Sequence, residues 1–208
     1  MKFDRLAPHY DWLEVVTAGR RLQRVRQHWL GALRDRRRLL SAGEGHGRFA
    51  AACAARFPGL AITCVDASAR MLARARRRVR GAGRPIAWEH ADLLAWTPSA
   101  APFDAIATCF FLDCFPAPLL HQVVARLAAC ATSDAVWLVA DFAVPARGLA
   151  RWRARGIHTL MYAFFRAAVS LPARRLVAPD DALAEHGFRL AGRREFEWGL
   201  LRADLWRR

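Results

Sequence analysis

Short apolar runs alternate with segments of helical periodicity from residue 37 to residue 142, and this alternation restricts the fold more than any other feature of the chain. The apolar runs predict strands at residues 38–42, 61–66, 85–92, 103–111 and 135–142. The segments between them predict helices at 49–57, from an N-cap at Ser68 to Arg80, and at 118–130. Strands separated by helices of this length are typical of repeated βαβ units. We therefore predict an α/β fold with a mostly parallel sheet that is covered on both faces.

The remaining segments extend this core without a low-complexity linker. Residues 1–34 have amphipathic helical periodicity and predict a helical cap. The apolar stripe of this cap consists of Leu22, Val25, Trp29 and Leu33. Residues 148–178 predict a helical insert after the fifth strand. The tail alternates like two strands joined at Trp198-Gly199, so we expect one domain over residues 1–208 that ends in an antiparallel strand pair.

The net charge of +15 comes almost entirely from arginine, because Lys2 is the only lysine. A charge of this size can attract nucleic acid or anionic lipid. The arginines are scattered and alanine is also abundant, which favours a codon bias of the genome over a recognition surface. The densest run, from Arg74 to Arg80, falls on a predicted helix and is interpreted as its solvated face.

Cysteine usage and hydropathy bear on the compartment. The five cysteines form no C-x-x-C pair and four lie in apolar runs, so we expect buried free thiols in a reducing cytoplasm. The opening residues, MKFDRLAPHYDWLE, carry acids where a signal peptide has its apolar core. The sequence has no apolar run of about 18 residues that would predict a membrane-spanning helix. We predict a cytoplasmic protein, with peripheral contact at a membrane surface as an extension of that prediction.

The stretch LLSAGEGHGRF, residues 39–49, joins the first strand to a helix through glycines at alternate positions. Glycines let the main chain approach a ligand, and the start of the helix offers free N–H groups. Gly43, Gly45 and Gly47 give G-x-G-x-G, whereas the last two glycines with Ala50 give a dinucleotide fingerprint. In either register Asp66 ends the next strand about 20 residues on, where an acid binds ribose hydroxyls.

The scarcity of lysine discriminates between classes of nucleotide-binding protein. The short-chain dehydrogenases use a Tyr-x-x-x-Lys pair for proton transfer, and Lys2 cannot supply that lysine from its position at the start of the chain. A phosphate-binding P-loop needs a lysine directly after its glycines, and the loop has none. Both classes are therefore disfavoured.

Five segments together resemble the motifs of the class I S-adenosylmethionine-dependent methyltransferases. They are LLSAGEGHG (39–47), CVDAS (64–68), HADLL (90–94), FDAIATCFFLDCF (103–115) and GFRLAGRREFEWGLLRADLW (187–206). The opening segment FDRLAPHYDWLE also resembles the N-terminus of small-molecule methyltransferases of the ubiquinone/menaquinone type. The resemblance covers nearly the whole chain. It implies a Rossmann-like fold with a mostly parallel seven-stranded sheet, and S-adenosyl-L-methionine as the cofactor.

The resemblance also implies the cofactor-binding residues. Asp66 would hold the ribose hydroxyls and Asp92 would accept from the adenine amino group, with Met71 and Leu93 against the ring unless these two are simply core residues. The implied set is Tyr10, Gly43, Glu44, Gly45, Gly47, Asp66, Ala67, Met71, Ala91, Asp92, Leu93, Cys109 and Phe110. Ser41 departs from the family pattern, which often has an acid two residues before the first glycine. Glu44 lies inside the loop and is not assigned the role of that acid.

The methyl acceptor is expected beyond the carboxyl ends of the fourth and fifth strands, where open α/β sheets bind ligands. The candidate substrate-pocket residues are Phe111, Phe142, Tyr162 and Arg166. In-line methyl transfer depends mainly on orientation and requires no metal. If a base is needed, the candidates are His158, Asp141 and Asp113. His46, in the glycine loop, is expected to point outward.

The aromatic content of the insert predicts a small, largely apolar acceptor, or contact with a membrane surface. Packing of the insert against the sheet would explain the same aromatic content.

Three further functions compete with small-molecule methylation. A nucleic-acid acceptor is disfavoured, because residues 109–113 lack the Asn/Asp-Pro-Pro-aromatic run of base-amino methylation and Cys114-Phe115-Pro116 reverses the Pro-Cys nucleophile order. A metal-dependent O-methyltransferase would use Asp113 and Asp141 as ligands, but these two acids have no supporting Asn. A non-catalytic domain would bind cofactor or partners through its basic face.

Overall fold

The computed structural model of the chain describes residues 19–80, 86–98, 102–169, 173 and 175–208. Its strands are β1 (Arg38–Ala42), β2 (Ala61–Asp66), β3 (Ala87–His90), β4 (Phe103–Cys109), β5 (Ala131–Phe142), β6 (Arg189–Phe196) and β7 (Leu201–Arg207). Its helices are α1 (Gly19–Gln27), α2 (Arg48–Arg56), α3 (Ala69–Arg78), α4 (Ala117–Ala129), α5 (Gly148–Val169) and α6 (Asp180–Glu185). Short 3-10 helices lie at Leu30–Leu33 and Leu112–Cys114.

The strands form one seven-stranded sheet in the order β3-β2-β1-β4-β5-β7-β6. The pairs from β3 to β5 are parallel, and β7 is antiparallel to both β5 and β6. The order reverses between β1 and β4, and ligands of open α/β sheets bind beside such a reversal. This arrangement confirms the predicted fold class, a Rossmann-like and mostly parallel seven-stranded sheet with an antiparallel C-terminal pair.

Three strands differ from their predicted bounds, and one of them, β3, spans only Ala87–His90 of the predicted 85–92. β4 ends at Cys109 and not at residue 111, because Phe110 adopts the left-handed region (φ 53°) and turns the chain out of the sheet. β5 begins at Ala131 and not at residue 135. Its first residue pairs with Phe103 and its regular register starts at Val136, so the polar residues between them form an irregular extension of the strand.

Both faces of the central strands are buried, which explains why they are continuously apolar. Leu39 and Leu40 in β1 are fully buried on opposite faces. One face packs with α4 in a cluster that contains Ile106, Trp137 and Leu120. The other packs with α2 in a cluster that contains Phe49. Burial of each such side chain contributes about 1.5–3 kcal/mol to folding.

Part of the predicted N-terminal cap packs against the antiparallel end of the sheet. Trp29 follows α1, and its indole N–H donates to the carbonyl of Ala203 at 3.0 Å. A Cβ at Gly192 would lie 2.7 Å from the Trp29 ring, so this strand position has no room for a side chain. The predicted stripe buries Val25 and Leu33 fully. The predicted residues 1–18 of the cap lie outside the described residues.

Within the predicted insert of residues 148–178, the chain forms α5 directly after β5. Its inner face buries Ala154, His158 and Tyr162. No helix in the part of the chain that the structure describes is long and apolar enough to cross a membrane.

Candidate functional site

A cavity of about 300 Å³ lies beyond the carboxyl ends of β1, β2 and β4, with α5 on its far side. It lies where the strand order reverses, as the βαβ alternation predicts. Several predicted cofactor residues line it, namely Gly43, Glu44, Gly45, Asp66, Ala67, Met71, Ala91, Asp92, Leu93, Cys109 and Phe110. Of the predicted substrate-pocket and catalytic residues, Phe111, Asp113, Phe142 and Tyr162 line it. Tyr10 lies outside the described residues.

Three glycines of the loop between β1 and α2 adopt left-handed conformations, with φ of 66° at Gly43, 63° at Gly45 and 83° at Gly47. A Cβ at Gly43 would lie 2.0 Å from the Phe111 ring, and one at Gly47 would lie 2.7 Å from the Ala75 backbone. A Cβ at Gly45 would meet nothing within 4 Å. Gly43 and Gly47 are therefore required by packing. Gly45 keeps open the space where the cavity meets the main chain.

The carboxylate of Asp66 is fixed at the cavity wall by backbone donors. One oxygen accepts from the N–H of Gly45 at 2.8 Å, and the other from the N–H of Ser68 at 2.8 Å. Ser68 in turn accepts from the N–H of Met71 at 3.1 Å and caps α3, as its sequence position predicts. A carboxylate can accept about four hydrogen bonds, so this one can also hold ligand hydroxyls.

Glu44 lies buried beneath the glycine loop. Its carboxylate accepts from the Ser41 hydroxyl and, at 3.0 Å, from the N–H of Ala50. Burial raises the pKa of Glu44, while these two hydrogen bonds and the nearby charge of Arg26 partly offset the rise. Glu44 therefore supports the loop from beneath, next to the position where the family pattern places an acid.

His46 is buried, which corrects the expectation that it points outward. Its ring nitrogen accepts from the Arg48 side chain at 2.9 Å, and its carbonyl accepts from Arg78. Two arginines from the flanking helices α2 and α3 thus cover the tip of the loop. Arg78 lies 32 residues from His46 in the sequence, so its contact comes from packing between elements, which the local sequence pattern does not contain.

Asp113 and Asp141 form a buried carboxyl pair at the ends of β4 and β5. The side chains hydrogen-bond to each other, and Asp141 also accepts from the N–H of Asp113 at 3.1 Å. Burial raises the pKa of Asp113 to about 6, and burial together with the Asp113 charge raises that of Asp141 well above its usual value. Asp113 lines the cavity, whereas Asp141 lies behind it.

The three predicted side chains on α5 occupy different places. Tyr162 lines the cavity, and its hydroxyl donates to the carbonyl of Asp113 at 2.9 Å. His158 is buried edge-on to Phe142 and Tyr162, with no hydrogen-bond partner for either ring nitrogen among the described residues, and burial lowers its pKa. It does not line the cavity. Arg166 is exposed and also lies off the cavity wall.

Arg26 on α1 is a site residue that the sequence analysis missed. It is only 6% exposed, lines the cavity, and places its guanidinium 4.9 Å from the centroid of the Phe110 ring. Its signal in the sequence is its place on the same helical face as Leu22 and Trp29, where a charge is unusual. Phe110 itself is a non-glycine residue at positive φ, a conformation that concentrates at functional sites.

The acidic pair has no metal site around it in the described ranges, where no group of three or more His, Cys, Asp or Glu side chains could hold a metal ion. The described Asp113 and Asp141 contact each other directly, which is the arrangement of a shared proton.

Residues 39–134, just under half of the chain, match the family model of a methyltransferase domain. The match agrees with the class of enzyme that the sequence motifs predict. No curated protein matches the chain in sequence. The chain shares its fold with solved structures of low sequence identity.

The chain aligns over its full length with 61% of the mitomycin 7-O-methyltransferase MmcR, at 18% identity and a TM-score of 0.74. It aligns over 89% of its length with 83% of the magnesium protoporphyrin IX methyltransferase of Synechocystis PCC 6803 with bound SAH, at 17% identity and a TM-score of 0.65. The pyocyanin biosynthetic protein PhzM gives 16% identity over 100% of this chain and 62% of that chain, with a TM-score of 0.73. The chain thus spans less than two thirds of MmcR and of PhzM.

Two solved structures of the Synechocystis methyltransferase hold SAH and SAM, and S-adenosyl-L-methionine is the cofactor predicted for this chain. The cavity fits it chemically: an anchored carboxylate at Asp66 faces the same space as the open main chain at Gly45. Apolar side chains of Met71 and Leu93 line the same cavity and suit the faces of a purine ring.

Proposed function

We propose that this methyltransferase moves the methyl group of S-adenosylmethionine to a small, largely apolar acceptor that carries a hydroxyl or similar hydrogen-bond donor. The observation that carries the proposal is one continuous cavity with two unlike ends. The glycine loop and Asp66 line one end, the rings of Phe142 and Tyr162 with the Asp113 carboxyl line the other, and Phe111 lies against Gly43 where the two meet. The first end suits a nucleoside, and the second suits an apolar molecule with a polar group.

Each cofactor-binding side chain has a distinct task in this proposal. Asp66 holds the ribose hydroxyls, because an ionised acceptor makes strong hydrogen bonds. Asp92 lines the cavity, and its carboxylate is oriented by a hydrogen bond from the N–H of Leu94 at 3.0 Å. In this proposal it accepts from the adenine amino group. Arg26 supplies the positive charge for the carboxylate at the other end of the cofactor.

When bound, S-adenosylmethionine supplies an electrophilic methyl group on a sulfonium. The chain contributes orientation, which can lower a barrier by about 7–11 kcal/mol. Phe110 and Phe142 lie edge-on, with centroids 5.3 Å apart, beside the carboxyl ends of β4 and β5. Together with Phe111 they exclude water from the place where the acceptor must lie.

Asp113 is the best placed of the three candidate bases, because it lines the cavity and His158 and Asp141 do not. Burial raises the pKa of Asp113 to about 6, so its carboxylate is a stronger base than that of an ordinary aspartate. Asp113 is nevertheless still ionised near neutral pH. Asp113 would accept the proton of the acceptor's hydroxyl as the oxygen attacks. Asp141 positions Asp113 by accepting from the backbone N–H of Asp113, and Tyr162 positions it by donating to the Asp113 carbonyl.

The names of the structural neighbours support a small acceptor. MmcR is named for mitomycin, and the Synechocystis protein is named for magnesium protoporphyrin IX, both of which are small molecules next to nucleic acid or protein. The ubiquinone/menaquinone type remains the prediction that the N-terminal segment supports. A nucleic-acid acceptor gains no support from the cavity, whose acceptor end is lined by aromatic rings and an acidic side chain.

The experiment that tests the proposal follows radiolabelled methyl transfer from S-adenosylmethionine to a panel of quinols, phenols, amines and short RNA. We expect product from apolar hydroxyl acceptors, and a rate that rises as pH increases through about 6 where Asp113 ionises. Asp113→Asn should lower kcat about a hundredfold or more and leave cofactor affinity unchanged. Methyl transfer to RNA and to no other acceptor would contradict the proposal. So would an Asp113→Asn variant that methylates both an acidic phenol and a weakly acidic alcohol at the native rate.

A further inference from the structure

The outer face of α5 is apolar although it faces solvent. Seven large hydrophobic side chains are exposed in the described residues, and five of them lie between residues 144 and 164. On α5, Leu149 is 88% exposed, Trp152 69%, Leu160 75% and Phe164 47%. At about 100° per residue these four positions fall on one stripe, opposite the buried face that carries His158 and Tyr162.

A sixth exposed residue, Trp198, extends this surface from the turn between β6 and β7. It is 79% exposed, and the Arg153 guanidinium lies 5.7 Å from the centroid of its ring. Arg153 also donates to the carbonyl of Glu197 at 3.2 Å, which ties the turn to the helix. We call the surface formed by Leu149, Trp152, Leu160, Phe164 and Trp198 the aromatic patch.

The charges on the segment that carries α5 have one sign. The sequence from Ala143 to Ala178 contains seven arginines and no acid. Arg153 and Arg155 are exposed on α5, and Arg155 lies 5.8 Å from the Trp152 ring centroid. Aromatic and aliphatic side chains flanked by arginines along a helix are the pattern of helices that lie in the interface of anionic bilayers.

We propose that the aromatic patch docks the protein onto the surface of an anionic lipid bilayer, with α5 parallel to the membrane plane. The apolar side chains enter the boundary between headgroups and acyl chains, and the arginines bind lipid phosphates. A nucleic acid would use the arginines but leave Leu149 and Leu160 without an apolar environment, so the lipid surface fits both sets of side chains. The docking does not depend on methyl transfer and is measured without an acceptor.

The test is co-sedimentation of the full chain with vesicles. We expect binding to vesicles of phosphatidylglycerol and phosphatidylcholine in equal parts, weak binding to phosphatidylcholine alone, and a decrease with added salt. Leu160→Ser should lower the vesicle affinity about tenfold, because it removes one buried aliphatic side chain from the interface. Leu190→Ser is the matched control, since Leu190 is 42% exposed on β6 away from α5.

A second pair of variants tests the charge. Arg153→Gln with Arg155→Gln should weaken binding to anionic vesicles about tenfold or more, whereas Arg76→Gln with Arg77→Gln on α3 should not change it. Equal binding by Leu160→Ser and Leu190→Ser would overturn the proposal. The proposal would also be overturned if the chain bound no vesicles and sedimented as a dimer that Leu160→Ser dissociates. RNA binding that depends on Arg153 and not on Leu160 would overturn it as well.

Discussion

The hydroxyl of Ser41 donates a hydrogen bond to the carboxylate of Glu44, which is buried beneath the glycine loop. The other carboxylate oxygen accepts from the N–H of Ala50 in the first turn of α2. Ser41, the position that departs from the family pattern, is therefore the donor to an acid three residues later. The loop therefore has a buried acid beneath it, but position 44 supplies that acid and position 41 does not.

An aspartate at position 41 should destabilise this chain, although the family often has an acid there. Ser41→Asp would place two carboxyls in contact in a buried site, where only one can ionise, and would remove the donor to Glu44. We expect a loss of about 1–3 kcal/mol in the free energy of unfolding at neutral pH, measured by urea denaturation. Adding Glu44→Gln should recover part of this loss. A Ser41→Asp chain as stable as the native one would show that the Ser41–Glu44 bond has no role.

Substitutions at Gly45 and Gly47 should have different effects, one on cofactor binding and the other on stability. Gly47→Ala introduces a Cβ 2.7 Å from the Ala75 backbone, so we expect a fall in the melting temperature. Gly45→Ala meets open space in the protein and should lose only about 1 kcal/mol for its left-handed φ. Its Cβ enters the cavity, however, and calorimetry should show at least a tenfold weaker binding of S-adenosylmethionine. Equal affinity in Gly45→Ala and the native chain would place the cofactor elsewhere.

Stability should fall as pH rises through the titration of the acidic pair. The pKa of Asp113 is raised from 3.8 to about 6 in the folded chain, so the folded state holds its proton more tightly than the unfolded state. This contribution is fully present below about pH 4 and is lost as pH rises through about 6, a change of about 3 kcal/mol.

Asp113→Asn removes that titration. The variant should therefore show a flatter dependence of unfolding free energy on pH between about 4 and 7 than the native chain, in urea denaturation at several pH values. Asp134→Asn, at an exposed acid far from the cavity, is the control and should keep the native dependence over this range. Parallel profiles for the native and Asp113→Asn chains would mean that the buried pair does not share a proton.

Arg26 should contribute to cofactor affinity through its charge. Arg26→Gln removes a charge-assisted hydrogen bond of about 1.5–3 kcal/mol, which corresponds to a dissociation constant about 10–150 times higher in calorimetry with S-adenosylmethionine. Arg24→Gln on the same helix is the matched control, because Arg24 is exposed and does not line the cavity. Equal affinities for the two variants would remove Arg26 from the binding site.

Much of the fold could be predicted because its signals are local. The alternation of period-2 and period-3.6 apolar positions depends on residues within a few places of one another, and β1, β2 and α3 lie at or close to their predicted bounds. Gly45 and Asp66 could be assigned to one site because β1 and β2 are neighbours in the sheet, and the strand order of a βαβ unit brings their ends together.

By itself the sequence determined the class of fold and the strand ends that surround the cavity, and it predicted the cofactor. Only the tertiary structure decided which side chains meet there. His46 is covered by arginines from two helices, Arg26 reaches the cavity from α1, and Asp113 meets Asp141 from 28 residues away. Arg166 and His158 follow the same helical pattern as Tyr162, yet only Tyr162 lines the cavity. Periodicity fixes which face of an element is buried, whereas contacts between elements depend on how the helices pack on the twisted sheet.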